Sequence, residues 1–277
     1  MAEQAVLRKP LGWSASAFFS LYHRRSIRIF FDALWLRRDG NTVVALEPEL
    51  WGLPSAAKSW KPNAADKVDQ VGDWWFLHYR VKPGDVVLDI GAGMGEDTLL
   101  FSRMVGDNGA VFSFEAHPDT FRGLQKVVEY SGARNAELMN AAIFSKAGTL
   151  EIETRDSEKW QENSVMLAGA GTGARRVSIP GIALDEFEPL QRLSRIDFLK
   201  MNIEGAEVDA LEGMKETLKK VQHACIACHD FLAQGNPRME TKEKCRQILE
   251  KAGFQIFEMP PNVPPWQRDH LHAVLKH

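Results

Sequence analysis

Val86-Val87-Leu88-Asp89-Ile90-Gly91-Ala92-Gly93-Met94-Gly95-Glu96 decides how the rest of this chain is read. Four apolar residues bracket one aspartate, and three glycines then fall at alternate positions. Such a segment reads as a buried parallel strand that ends in a tight turn and opens a helix. Glycine lets the backbone enter conformations that a Cβ would block and lets a ligand approach the main chain closely. A dinucleotide fingerprint places glycine at the first, third and sixth positions. Here the first, third and fifth are glycine and the sixth is Glu96.

The bulk numbers narrow the class. The chain has 277 residues, 44% of them hydrophobic and 26% charged, with a net charge of -3. That is ordinary globular material, long enough for one sizeable domain with an extension, and without strong attraction to nucleic acid. Three cysteines, Cys225, Cys228 and Cys245, are too few for a disulfide scaffold, so a cytoplasmic location is expected. The apolar stretch from Leu11 to Tyr22 is too short to span a bilayer, and His23-Arg24-Arg25 follows where a signal peptide needs small residues.

Two regions are expected: an N-terminal helical extension and linker over 1–65, and a main domain over 66–277. Arg8, Lys9, Arg24, Arg25, Arg28, Arg37 and Arg38 are interleaved with large apolar residues, of which Ile27, Phe30, Phe31 and Leu34 follow helical spacing. This helix either packs on the main domain or a second subunit, or makes peripheral contact with the inner face of an anionic membrane through residues 1–40. Trp51 to Asn63 reads as a linker.

From Asp66 strands and helices alternate. The pattern predicts a helix over Val68–Tyr79, strands at Val86–Ile90 and Ala110–Glu115, and helices at Glu96–Val105 and Asp119–Tyr130. Strand pieces follow at Glu137–Asn140, Thr149–Glu153 and Arg176–Ile179, with a Gly- and Ala-rich loop at Trp160–Ala174 between the last two. A strand at Ile196–Asn202, a helix over Ala206–Lys219, a strand at Ala224–Cys228 and a helix over Thr241–Ala252 come next. Phe254–Met259 and His270–Leu275 close the chain as two strands with no helix between them. Alternation implies a doubly wound α/β sheet, mostly parallel, and the last two strands imply an antiparallel C-terminal pair.

Three further stretches carry a family resemblance. Phe112-Ser113-Phe114-Glu115-Ala116-His117-Pro118 puts an acid at the tip of the second strand. Lys200-Met201-Asn202-Ile203-Glu204-Gly205-Ala206-Glu207 ends the fourth major strand in a polar cluster, and Cys228-His229-Asp230 ends the fifth. With the glycine turn, these resemble the FkbM family of S-adenosylmethionine-dependent methyltransferases over roughly Val81 to Leu275. Members commonly carry aspartate where this chain has Asn202. The resemblance implies a seven-stranded, Rossmann-like class I methyltransferase domain and O-methylation of hydroxyls, often on sugars or glycosylated and polyketide products.

A sulfonium donor needs its amino-acid tail, ribose and adenine fixed separately. Asp89 either faces the donor's ammonium or holds the turn. The backbone at Gly91, Gly93 and Gly95 can approach the donor, and the helix start at Glu96 to Thr98 exposes unpaired amides, with Thr98 a candidate for the donor's carboxylate. Glu115 should accept from the ribose hydroxyls, and Asn140 and Ala141 lie where the adenine edge is expected. Around the acceptor stand Asn202, Glu204 and His229. His229 has a suitable intrinsic pKa for a general base, Glu204 is its rival, and either could instead hold the strand ends together. Lys200 either orients the acceptor or pairs with a nearby acid. A divalent metal is compatible with Asn202, Glu204, His229 and Asp230, but asparagine at 202 removes one charge, so it is not the favoured reading. The string Cys225-Ile226-Ala227-Cys228-His229 imitates a haem-attachment motif, yet it lies in a strand-like run, where residues three apart face opposite ways. The expected partner is a small-molecule or glycan acceptor, with a homo-oligomer also compatible. The rival readings are an NAD(P)-dependent oxidoreductase and a non-catalytic membrane-surface or binding protein.

Overall fold

A computed structural model describes residues 73–154 and 175–276 except 234 and 238, together with 13, 16–17, 20–21, 26–32, 34–39, 42–45 and 68. The linker expected at 51–63 and the loop expected at 160–174 lie outside the described residues.

Three strands come first: β1 (Ile27–Asp32), β2 (Leu34–Asp39) and β3 (Thr42–Ala45) form an antiparallel meander. The helix expected through Ile27, Phe30, Phe31 and Leu34 is therefore corrected to strands. A short run rich in β-branched and aromatic residues satisfies both helical and alternating spacing, and packing decides between them. Here Leu36, Val43 and Val44 are buried in one cluster with Leu124, Val127 and Val128 of the main domain. Arg37, expected on a basic face, is buried and paired with Asp39.

The main domain runs β4 (Val86–Ile90), α1 (Glu96–Val105), β5 (Ala110–Phe114), α2 (Pro118–Ser131), β6 (Ala136–Met139), β7 (Ala142–Ile143), β8 (Gly148–Thr154) and β9 (Arg175–Ile182). It continues through α3 (Glu188–Gln191), β10 (Ile196–Met201), α4 (Glu207–Glu212), α5 (Lys215–Leu218), β11 (Val221–Ala227), α6 (Lys242–Lys251), β12 (Phe254–Glu258), α7 (Pro265–Arg268) and β13 (His270–Leu275). Seven strands form one sheet in the order β12-β13-β11-β10-β4-β5-β6. β11, β10, β4, β5 and β6 are parallel, and β13 is antiparallel to both of its neighbours. β7, β8 and β9 make a small separate sheet.

Local chemistry sets the boundaries. Val87, Leu88 and Ile90 are all buried, as a strand covered on both faces requires. α2 starts at Pro118 under a cap from His117, whose Nδ1 accepts from the amides of Asp119 and Thr120 at 3.3 and 3.4 Å. The helix expected over Ala206–Lys219 is broken into α4 and α5 at Gly213, where any Cβ would collide with the Phe144 carbonyl. Of the helix expected over Val68–Tyr79, Val68 is helical, Asp73–Trp75 form a 3-10 turn and Phe76–Tyr79 are irregular, while 69–72 lie outside the described residues. Its aromatic rings reach separate anchors: Trp75 donates to Asp97, and Tyr79 donates to Asp85 while stacking on His223.

One sheet face packs Leu88, Ile90, Phe114, Leu199 and Ile226 under α4, α5 and α6. The other packs Val87, Val111, Phe198 and Cys225 under α1 and the Trp75–Val81 segment. Chain direction across the sheet reverses between β4 and β10. Open α/β sheets bind ligands in the crevice beyond the carboxyl ends of their strands at such a switch point.

Candidate active site

The glycine turn sits at that crevice. Gly91, Gly93 and Gly95 all have positive φ, at 77°, 56° and 96°. Gly91 lies against β10 so closely that a Cβ would strike the Asn202 carbonyl, and Gly95 presses on Leu124. Gly93 differs, since a Cβ there would have no neighbour within 4 Å. The turn thus has two packed glycines and one that faces open space. The amide of Gly93 donates to Oε2 of Glu115 and that of His117 to Oε1, both at 2.9 Å. Burial pushes the Glu115 carboxyl up to about 7, against the pull of these two amides in the other direction. Glu96 opens α1 beside the turn. Asn140 donates to the carbonyls of Glu115 and Ala116 at 2.8 and 3.0 Å and so fixes that loop, with Ala141 buried behind it.

Asp89, Thr98 and Lys200 lie beneath the turn rather than in it. Asp89 is fully buried, accepting from Lys200 Nζ at 2.9 Å and from Thr98 Oγ1 at 2.6 Å. Lys200 also donates to the Gly91 carbonyl at 2.7 Å, stands 3.3 Å from Asp97 Oδ2, and lies 5.5 Å from the centre of the Trp75 ring. Burial alone would lower the ammonium's pKa, but Asp89 and Asp97 outweigh it, and the pKa is raised. Burial raises Asp97 to about 6 in spite of Lys200. Of the two readings open for Lys200, pairing with an acid is the observed one. Asp89 holds the turn through Lys200, and the Thr98 hydroxyl is spent on Asp89 and on Ser113 at 3.1 Å.

The carboxyl ends of β10 and β11 bring Asn202, Glu204 and His229 to the same edge. The amide of Asn202 donates to the Ile90 carbonyl at 2.9 Å, while its side-chain Oδ1 is buried without a hydrogen-bond partner. Glu204 takes φ 49°, the one non-glycine residue with positive φ among those described. Glu207, fully buried, accepts the Gly205 amide on both oxygens at 3.0 Å and lies 3.2 Å from His229 Nδ1. Asp230 is used elsewhere: its Oδ1 accepts from Thr241 and Lys242 at 2.9 and 3.0 Å, capping α6. Among the described residues no group of three or more His, Cys, Asp or Glu side chains is gathered to hold a metal. The three cysteines are free and buried.

Sequence reasoning passed over Glu207, Asp97 and Trp75 as site residues. Glu207 is visible as the last acid of the Glu204-Gly205-Ala206-Glu207 run, but its pairing with His229 crosses from one strand end to the next and leaves no trace in spacing. His270 was also missed. It is buried with Nδ1 3.1 Å from the Gln267 carbonyl and Nε2 unpartnered, and burial lowers its pKa to about 4.

A mostly parallel sheet in this strand order, with a glycine turn facing an acid across its switch point, has the architecture of an S-adenosylmethionine-dependent methyltransferase. The Methyltransferase FkbM domain matches residues 89–256, so the chain belongs to the FkbM methyltransferase family. Protein-L-isoaspartate O-methyltransferase 1 of Arabidopsis thaliana is 30% identical over 117 residues, 42% of this chain and 47% of that protein. Hexuronic acid methyltransferase AglP of Haloferax volcanii is 25% identical over 52% of this chain and 56% of its own length. For 2-O-methyltransferase NoeI of Sinorhizobium fredii the figures are 26%, 51% and 62%. The chain thus spans about half the length of these curated relatives. Among solved structures, methyltransferase FkbM from Methylobacillus flagellatus shares 16% identity at a TM-score of 0.43, covering 71% of this chain and 45% of that one. The family match sets aside the nicotinamide-dependent reading.

Proposed function

We propose that this enzyme methylates a hydroxyl on a sugar or glycosylated metabolite, with His229 as general base oriented by Glu207. The observation that carries this reading is the buried His229–Glu207 contact at the strand edge next to the glycine turn. Nδ1–H donates a hydrogen bond to Glu207, which leaves the lone pair on Nε2. No hydrogen bond to Nε2 forms among the described residues. A neutral imidazole held in that tautomer can take the proton of a hydroxyl as its oxygen becomes a nucleophile.

The turn suits the donor. Gly93 has room above it, Glu115 stands over the Gly93 amide, and Asn202 Oδ1 has no partner of its own. In this reading the backbone at Gly91, Gly93 and Gly95 and the α1 amides from Glu96 hold the amino-acid tail. Glu115 takes the ribose hydroxyls, Asn140 and Ala141 border the adenine, and Asp89 and Lys200 keep the turn in shape. When bound, S-adenosylmethionine supplies an electrophilic methyl group. The chain's own contribution is alignment, worth roughly up to 10 kcal/mol of barrier, together with proton removal. Two of the relatives are named for a hexuronic acid and for 2-O-methylation, which supports a carbohydrate hydroxyl. The net charge of -3 favours a small or glycan acceptor over nucleic acid.

The test is incubation with isotopically labelled S-adenosylmethionine, a panel of neutral and uronic glycosides, and a cell extract. Label recovered in an alkali-stable methyl ether supports the proposal. Label released by mild alkali, as from a methyl ester, overturns it.

A further inference from the structure

Outside the first 26 residues, the large apolar side chains left exposed in the described structure are Leu77, Phe231, Leu232 and Trp266, each 37–44% exposed. Single exposed apolar residues are normal on any protein, but a group of them in one place is not. Three of them, Phe231, Leu232 and Trp266, are tied together. Phe231 and Leu232 follow His229 after Asp230, in a turn where Leu232 donates its amide to the His229 carbonyl at 2.8 Å. The amide of Phe231 is held at 2.8 Å by Asp269, which lies just beyond α7 and its Trp266. The Asp269 carbonyl also accepts the Cys228 amide at 3.2 Å. Trp74 packs edge-on against Trp266 with ring centres 5.2 Å apart, and the Phe231 ring lies 5.8 Å from that of His229.

We infer that this rim holds an apolar substituent of the acceptor, so that the true substrate is an amphiphile: a hydroxyl-bearing head with an alkyl or similar apolar group beside it. The inference rests on His229 marking the acceptor site. Continuity favours this occupant, because the rim begins at the residue after next from the proposed base. Area argues against a second copy of the chain. Three side chains at this exposure fall well short of the about 800 Å² per partner that a stable interface buries. The same area suits one alkyl chain, whose burial gains in proportion to the surface removed from water.

The experiment compares n-octyl and methyl β-D-glucopyranoside, both below micellar concentration, binding to the full chain saturated with S-adenosylhomocysteine. Calorimetry reads the affinities for the parent and for Leu232→Ser and Trp266→Ser. The octyl compound is expected to bind about tenfold or more tightly than the methyl compound, with that preference shrinking in both variants. Leu232→Ser changes a surface side chain and keeps the comparison usable if Trp266→Ser unfolds. Equal affinities, or no binding of either compound, overturn the inference. So does a parent dimer that Leu232→Ser dissociates, which assigns the rim to a second copy. Co-sedimentation of the parent but not the variants with phosphatidylglycerol vesicles, without octyl preference, assigns it to a membrane and overturns it equally. Failure of S-adenosylhomocysteine itself to bind strikes the methyltransferase reading instead, and is read out before either glycoside is added.

Discussion

Two buried pairs, an ion pair and a histidine–carboxylate contact, stand on neighbouring strand ends of this molecule. Lys200–Asp89 is closed: side chains 1% and 0% exposed, with the ammonium shared among Asp89, Asp97 and the Gly91 carbonyl. His229–Glu207 is open on one side, its histidine side chain 11% exposed, with Nε2 unbonded among the described residues. The first pair spends every charge on the protein itself and shapes the turn. In the proposed mechanism the second keeps one nitrogen for chemistry. The difference teaches that burial and pairing alone do not mark a catalytic group, and the proposal adds an unspent valence at the ligand edge.

If that contrast is right, the largest effect comes from the open pair. His229→Ala is expected to lower turnover a hundred- to ten-thousandfold while affinity for S-adenosylhomocysteine stays within twofold. Glu207→Gln is the sharper probe. Its amide can donate to Nδ1, which forces the proton onto Nε2 and leaves no lone pair for the acceptor, so turnover should fall about a thousandfold or more. Parent-like turnover in either variant, measured by transfer of labelled methyl, would remove the dyad from the mechanism.

Disrupting the closed pair should instead cost stability. Lys200→Met strands the Asp89 carboxylate in the core, where loss of one partner typically costs about 3–5 kcal/mol. Urea unfolding at neutral pH should show that loss. A variant as stable as the parent would mean that the pair does not hold the turn.

Much of this arrangement was legible in the sequence, for identifiable reasons. β4, β10 and β11 announce themselves because strands covered on both faces need unbroken apolar runs. β13 matches its expected span of His270–Leu275, and the glycine spacing marked the turn. What failed was decided far away along the chain. β1–β3 depend on docking against α2, including an Arg38 bond to the Tyr130 carbonyl at 2.7 Å. The break at Gly213 depends on Phe144. Glu207 becomes His229's partner only because β10 and β11 are neighbours.

Glu115 tests the donor side. With its pKa at about 7, above the ordinary 4.5, the folded protein keeps a proton that the unfolded chain has already released between those values. Its contribution to stability is therefore lost as pH rises through that window. Donor affinity should move the other way, since the carboxylate is the form that accepts ribose hydroxyls. Affinity for S-adenosylhomocysteine should rise about tenfold from pH 6 to 7.5 and then level off. Glu115→Gln should bind weakly and without that slope. A flat profile in the parent would detach Glu115 from the donor.

The smallest effect separates the glycines of the turn. Gly91→Ala cannot be accommodated, because its Cβ would meet the backbone of Asn202, whereas Gly93→Ala meets nothing in the protein. At φ 56° an alanine pays only left-handed strain, about 1–2 kcal/mol. Gly93→Ala should therefore fold, with a modest drop in melting temperature. If the open space above Gly93 belongs to the donor, the added methyl must weaken S-adenosylhomocysteine binding by more than the fold is weakened. An unchanged dissociation constant in a folded Gly93→Ala protein would show that the donor lies elsewhere, and the turn would then share the purely internal role of the closed pair beneath it.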